Sequence, residues 1–198
     1  MTRISAIILA AGESKRMGSP KMLLDFGGMS MLEKVIRNVQ AASVDDIIVV
    51  LGAFRDEILK ITKNAGVRSC YNEIYREGML SSVQCGFRNL SIASEAALIF
   101  QGDQPLITPE VIESVINSYR NGVRVRGIVI PVYKNRRGHP LLVARKYFVE
   151  IEKLDPGKGL RSLAEIFSDD VEEVSVEEPS ILRDFDTFDE YIKAIKQT

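Results

Sequence analysis

Four short apolar runs punctuate the chain: Ile4–Leu9, Ile47–Leu51, Ala97–Gln101 and Gly127–Val132. They are continuous instead of alternating, and rich in β-forming residues, the pattern of strands covered on both faces. Weaker strand patterns occupy Val67–Cys70, Pro140–Val143 and Val171–Val176. Between the runs, apolar residues recur at helical spacing after recognisable start signals. Ser30-Met31-Leu32-Glu33 has the form of a capping box, followed by Leu32, Val35, Ile36 and Val39 on one face. Ser81-Ser82-Val83-Gln84 suggests a second box with Ser81 as the cap. Thr108-Pro109 predicts a helix running to about Tyr119, and Thr187-Phe188-Asp189-Glu190 opens a last helix bearing Tyr191, Ile192 and Ile195. Strands alternating with helices predict an α/β sandwich with a mainly parallel sheet. The stretch from Tyr133 to Ser168 is richer in turns and charge, and is expected to form a subregion over one end of the sheet. With no internal repeat or Pro/Ser-rich linker, residues 1–198 read as a single domain.

Composition narrows the function classes. A chain of 198 residues with 45% hydrophobic and 27% charged residues buries a substantial core, and its net charge of −1 offers no general surface for nucleic acid or membranes. Affinity for anions must therefore come from local basic clusters. The 2 cysteines, Cys70 and Cys85, lack a CxxC spacing and read as small buried thiols of a reducing compartment; with 1 histidine, they leave too few soft ligands for zinc. The run Ile4–Ala11 is far shorter than the roughly 20 residues of a membrane span and has no signal-peptide layout. A cytoplasmic location is expected.

Candidate chemistry gathers where strands end, because ligands of open α/β sheets bind beyond the carboxyl ends of the strands. After the first run comes Ala10-Ala11-Gly12-Glu13-Ser14-Lys15-Arg16-Met17-Gly18-Ser19-Pro20-Lys21. Small residues let the backbone approach a ligand closely, and Lys15, Arg16 and Lys21 supply positive charge. Neither GxxxxGK[ST] nor GxGxxG is present. By itself the segment is either an anion site or a solvated basic turn. Asp103, in Gly102-Asp103-Gln104-Pro105, suits a Mg²⁺ ligand shared with phosphates, or an ordinary turn aspartate before a helix. Asp184 and Asp186, in Asp184-Phe185-Asp186-Thr187, carry the same two readings.

Taken in order, these segments resemble one family. LAAGxSxRMGxxK, GxxSS, GDQP, RRGHP and DxDT, spread from Leu9 to Thr187, are similar to the motifs of MobA-like nucleoside triphosphate transferases, and most of all to their molybdenum cofactor cytidylyltransferase branch. The resemblance implies a Rossmann-like three-layer sandwich with a mostly parallel mixed sheet, of nucleotide-diphospho-sugar transferase type. It implies that Leu9, Ala10, Ala11, Gly12, Gly78, Ser81 and Ser82 surround the nucleotide, and that Lys21 and Arg16 hold the phosphates. Asp103 and Asp186 would be the Mg²⁺ ligands, Asp103 acting with Lys21 and Arg16 in catalysis. The Ala-Ala-Gly form points to CTP. Arg137 and His139 would clamp the phosphate of a molybdopterin-type acceptor, although a histidine in a turn also serves purely structural roles. Asp155-Pro156-Gly157-Lys158-Gly159-Leu160-Arg161 resembles the branch's GDxGAR segment, departing from it at Lys158 and Leu160.

The implied reaction is Mg²⁺-dependent transfer of CMP from CTP to that phosphate with release of pyrophosphate, and a molybdenum hydroxylase is a conceivable recipient of the product. Two other readings stay open: a nucleotidyltransferase acting on a sugar, alditol or isoprenoid phosphate, and a non-catalytic molybdenum cofactor chaperone.

Overall fold

The computed structural model describes residues 2–15, 17–122, 126–185 and 187–195. Its elements follow in the order β1 (Ile4–Ala10), α1 (Met31–Gln40), β2 (Asp46–Leu51), α2 (Arg55–Asn64), β3 (Arg68–Tyr71), α3 (Met79–Arg88), β4 (Ala96–Gln101), α4 (Pro109–Asn121) and β5 (Ile128–Tyr133). Then come β6 (Arg136–Arg137), β7 (Leu141–Ala144), α5 (Phe148–Ile151), α6 (Arg161–Ile166), β8 (Val171–Ser175) and α7 (Phe188–Ile195).

The strands form one mixed sheet in the order β3–β2–β1–β4–β7–β5, with β6 and β8 also paired to β5. The pairs β1–β2, β1–β4, β2–β3 and β5–β8 are parallel, whereas β7 runs antiparallel to both β4 and β5. This is the α/β fold expected, with one correction. Residues 133–168 do not make a subregion over one end of the sheet. Four consecutive apolar residues, Leu141 to Ala144, are all buried, so this short strand is taken into the sheet interior between β4 and β5. The helices after it line one sheet face.

Strand β1 is buried along its whole length, and alternation divides its side chains between two cores. Ile4, Ala6, Ile8 and Ala10 face α1, α2 and α4 through Leu32, Ile36, Ile58, Ile112 and Val115. Ile7 and Leu9 face α3, α5 and α6 through Val83, Phe87, Ile151 and Leu163. Helices thus cover both faces, which makes three layers. A smaller cluster of Phe26, Met31, Phe185, Tyr191 and Ala194 seats α7 against the start of α1.

The capping calls met different fates. Ser30 and Glu33 close a reciprocal box at 2.7 and 3.2 Å. Thr187 and Glu190 close another, at 2.9 and 3.3 Å. Thr108 precedes α4 as expected, but its hydroxyl bonds Glu178 instead of the helix. Ser81 is not a cap. Gly78, at φ 111, takes the N-cap position in a backbone conformation that side-chain-bearing residues rarely adopt, so α3 starts three residues earlier. Ser81 lies inside the helix, its hydroxyl shared between the carbonyls of Gly78 (2.8 Å) and Ile74 (3.1 Å).

Candidate active site

Strand order reverses between β1 and β4: β2 and β3 lie beyond β1, and the rest of the sheet beyond β4. Such a switch point opens a crevice at the carboxyl ends of the two strands. Gly102 keeps those ends close. Its N–H donates to the Leu9 carbonyl at 2.9 Å, and a Cβ there would stand 3.0 Å from that same oxygen.

The crevice holds a first cleft of about 260 Å³, lined by Leu9, Ala11, Gly12, Lys21, Met22, Tyr75, Gly78, Met79, Ser82, Gln101 and Asp103. At its floor the Lys21 ammonium pairs with the Asp103 carboxylate; their side chains are only 16% and 5% exposed. Burial raises the stakes of that pair, since either charge alone would be costly in this position. Ser14 sets the loop that delivers Lys21. At φ 52 it turns the chain, its carbonyl accepts from the Met17 N–H, and its Oγ accepts from the Lys21 N–H at 3.1 Å. The wall opposite is α3, tied to the end of β3 by Asn72, whose amide donates to the hydroxyls of Ser81 (2.9 Å) and Ser82 (3.0 Å).

Of the residues expected around a nucleotide, Leu9, Ala11, Gly12, Lys21, Gly78 and Ser82 line this cleft, with Asp103. Ala10 and Ser81 do not. Ala10 ends β1 with its methyl fully buried in the core, and Ser81 is held by Asn72 and its own helix. Lys15 turns away to Glu13 at 2.8 Å, and that hydrogen bond holds the Glu13 carboxyl below the usual carboxylate range. Arg16 and Asp186 lie outside the described residues. Among the described residues no group of three or more His, Cys, Asp and Glu side chains is placed to hold a metal ion.

A second cleft of about 560 Å³ adjoins the first, sharing Leu9, Met79 and Gln101 with it. Arg137, His139, Lys158 and Arg161 bring basic and imidazole groups to its lining, among apolar residues such as Ile99, Ile130 and Leu141. Arg137 is half-exposed and paired with Glu173 at 2.7 Å. The turn carrying His139 is sewn down on two sides: the Gly138 N–H donates to Pro131 O (2.9 Å) and the His139 N–H to Ile181 O (3.0 Å). Burial pushes the imidazole pKa down, against the Ile99 backbone and the Asp103 and Asp184 carboxylates, which favour its proton.

Sequence reasoning missed Gln101, Met79 and Tyr75 as lining residues. Gln101 had a usable signal, being the last strand residue before Gly102-Asp103. Met79 lies within the Gly78–Ser82 segment that matched GxxSS, whereas Tyr75, in the turn before α3, had none.

A family model described as the MobA-like NTP transferase domain matches residues 6–174. The chain belongs to that family. It is 29% identical over 196 residues to the molybdenum cofactor cytidylyltransferase of Escherichia coli K12, covering 98% of this chain and 96% of that protein. Among solved structures it superposes on Rv0371c of Mycobacterium tuberculosis H37Rv with a TM-score of 0.85 at 25% identity, over 98% of both chains. A complex of Rv0371c with manganese gives a TM-score of 0.84 at 24% identity over 100% of both chains, a likeness of fold.

Proposed function

We propose that the protein transfers CMP from CTP to the phosphate of a molybdopterin-type acceptor and releases pyrophosphate. The observation that carries this reading is the junction of two clefts that differ in their charged groups. The first holds the Lys21–Asp103 pair beside Gly12 and Gly78, and the second gathers Arg137, Lys158 and Arg161 around apolar residues. The first suits a triphosphate, and the second a flat ring system ending in a phosphate. Membership of a nucleotidyltransferase family and the likeness to a cytidylyltransferase support the same assignment.

The chemistry asks little of a general base. A phosphomonoester has its second pKa near about 6 and is largely ionised at neutral pH. One of its oxygens attacks the α-phosphorus in line, forming the new P–O bond as the bond to the pyrophosphate oxygen breaks. What the protein must supply is alignment and relief of charge between two polyanions. Lys21, held from its backbone by Ser14, would meet the leaving phosphates. Leu9, Ala11, Gly12 and Gly78 confine the nucleotide, and Arg137 with His139 faces the acceptor. Arg16 would join Lys21 on the phosphates.

Asp103, a hard oxygen donor at the cleft floor, fits a Mg²⁺ that arrives with the triphosphate, and with Asp186 it would hold the ion. Bound there, the ion would neutralise phosphate charge and polarise the α-phosphate. Pyrophosphate release across a matrix of CTP, GTP and ATP against molybdopterin, a sugar phosphate and an alditol phosphate tests the reading. Turnover with CTP and molybdopterin is expected. Turnover only with a sugar or alditol phosphate would reassign the acceptor, and tight molybdopterin binding without release under any nucleotide would favour a carrier.

A further inference from the structure

Gln101 is the last residue of β4 and lines both clefts, so its side chain stands where the two substrates would meet. Its amide is not free to turn. Gln101 Nε2 lies 2.9 Å from Nε2 of His139, and the His139 turn is itself anchored through the Ile181 carbonyl. An amide N–H can only donate, so the imidazole Nε2 must be the acceptor and the ring proton must sit on Nδ1. Nδ1 is buried without a hydrogen bond of good geometry among the described residues, the Ile99 backbone being the group that favours a ring proton. With the amide nitrogen committed to His139, the carbonyl oxygen Oε1 is the group left for a ligand.

We propose that Gln101, held in one orientation by His139, reads the phosphate acceptor at the junction of the clefts by offering Oε1 to an N–H or O–H donor of that ligand. The inference rests on the assignment of the second cleft to the acceptor. A carbonyl oxygen repels phosphate oxygens and attracts neutral donors, so beside the reacting phosphates it selects an amino, ring N–H or hydroxyl group of the acceptor. A glutamate of the same shape would add charge beside two polyanions. The neutral amide supplies direction without that penalty. His139 is the positioning residue and Gln101 the contact.

The chain has 1 histidine, so a long-range ¹H–¹⁵N spectrum of ¹⁵N-labelled protein reports on His139 alone. For the wild type the spectrum is expected to show a neutral ring protonated at Nδ1, and for Gln101→Leu a mixture of tautomers. In pyrophosphate-release kinetics, Gln101→Leu is expected to raise KM for molybdopterin about tenfold, the size of one lost hydrogen bond, with KM for CTP changed less than about twofold. Gln101→Glu should raise KM for both substrates. A wild-type ring protonated at Nε2 would overturn the inference, because Oε1 would then face His139. An active wild type with an unchanged acceptor KM in Gln101→Leu would overturn it alone. A wild type inactive with every acceptor would remove the proposed function and this inference with it.

Discussion

The two clefts share three residues, yet they hold their charge in opposite ways. In the first, Lys21 and Asp103 are buried and paired on a loop and a strand end fixed by backbone contacts. In the second, Arg137 is half in solvent and paired with an equally exposed Glu173, while the buried group is a neutral imidazole. Charge buried in a pair is preorganised, and losing one member leaves the other stranded. Exposed pairs contribute little to stability and exchange partners readily. A cleft built the first way is rigid before a ligand arrives. A cleft built the second way can draw Arg137 from its surface pair.

The largest expected effect follows from the buried pair. Asp103→Ala removes the carboxylate that pairs with the Lys21 ammonium and should lower unfolding free energy by about 1.5–3 kcal/mol in urea titrations, besides abolishing turnover. Asp103→Asn keeps the shape and a hydrogen-bond acceptor; it should stay folded and still be inactive. A stable, active alanine variant would break the contrast between the clefts. Next in size, Lys21→Met should reduce kcat/KM by roughly 10²–10³-fold in pyrophosphate release, the scale of one lost transition-state charge contact. Equal kinetics would remove Lys21 from the phosphate site.

Arg137→Ala should behave differently. Its stability should stay within about 1 kcal/mol of the wild type, while KM for the acceptor rises and becomes less sensitive to salt. A loss of stability rivalling that of Asp103→Ala would erase the distinction.

The smallest effect concerns Asp170, away from both clefts, which accepts from the Gly127 N–H (3.0 Å), Tyr147 Oη (2.7 Å) and Lys146 Nζ (2.7 Å). Burial alone would raise the Asp170 carboxyl, but the bonds from Lys146, Tyr147 and Gly127 outweigh it and hold the pKa below the carboxylate range. A depressed folded-state pKa gives stability that is present above the unfolded value, about 3.9, and is lost as pH falls through the folded one. The difference in urea midpoint between wild type and Asp170→Asn should therefore shrink from pH 7 towards pH 3. A constant difference would mean that the carboxylate charge plays no part.

The sheet's parallel half was legible because its runs, though short, are continuous and β-rich. Leu9–Lys21 and Gly102–Pro105 were ambiguous by themselves and became readable through the resemblance of their motifs, and the approach of Gly102 to the Leu9 carbonyl shows why glycine stands there. The central antiparallel place of β7 was not, since four apolar residues at Leu141–Ala144 reveal a strand but not its neighbours. Ser81 misled because its capping pattern is genuine, while the start of α3 is decided by the positive φ of Gly78. The second cleft was legible only in part. Arg137 and His139 stood out and Asp155–Arg161 matched a motif, but only the fold brings Gln101 of β4, Lys158 and Arg161, the first residue of α6, to the same cleft.

The central claim is that the cleft between β1 and β4 carries out nucleotidyl transfer with Asp103 at its metal site. The direct measurement is the rate of pyrophosphate release from CTP, with Mg²⁺ and molybdopterin present, for the wild type and for folded Asp103→Asn. The expected result is metal-dependent release by the wild type and background release by the variant. Release by Asp103→Asn at the wild-type rate would contradict the account.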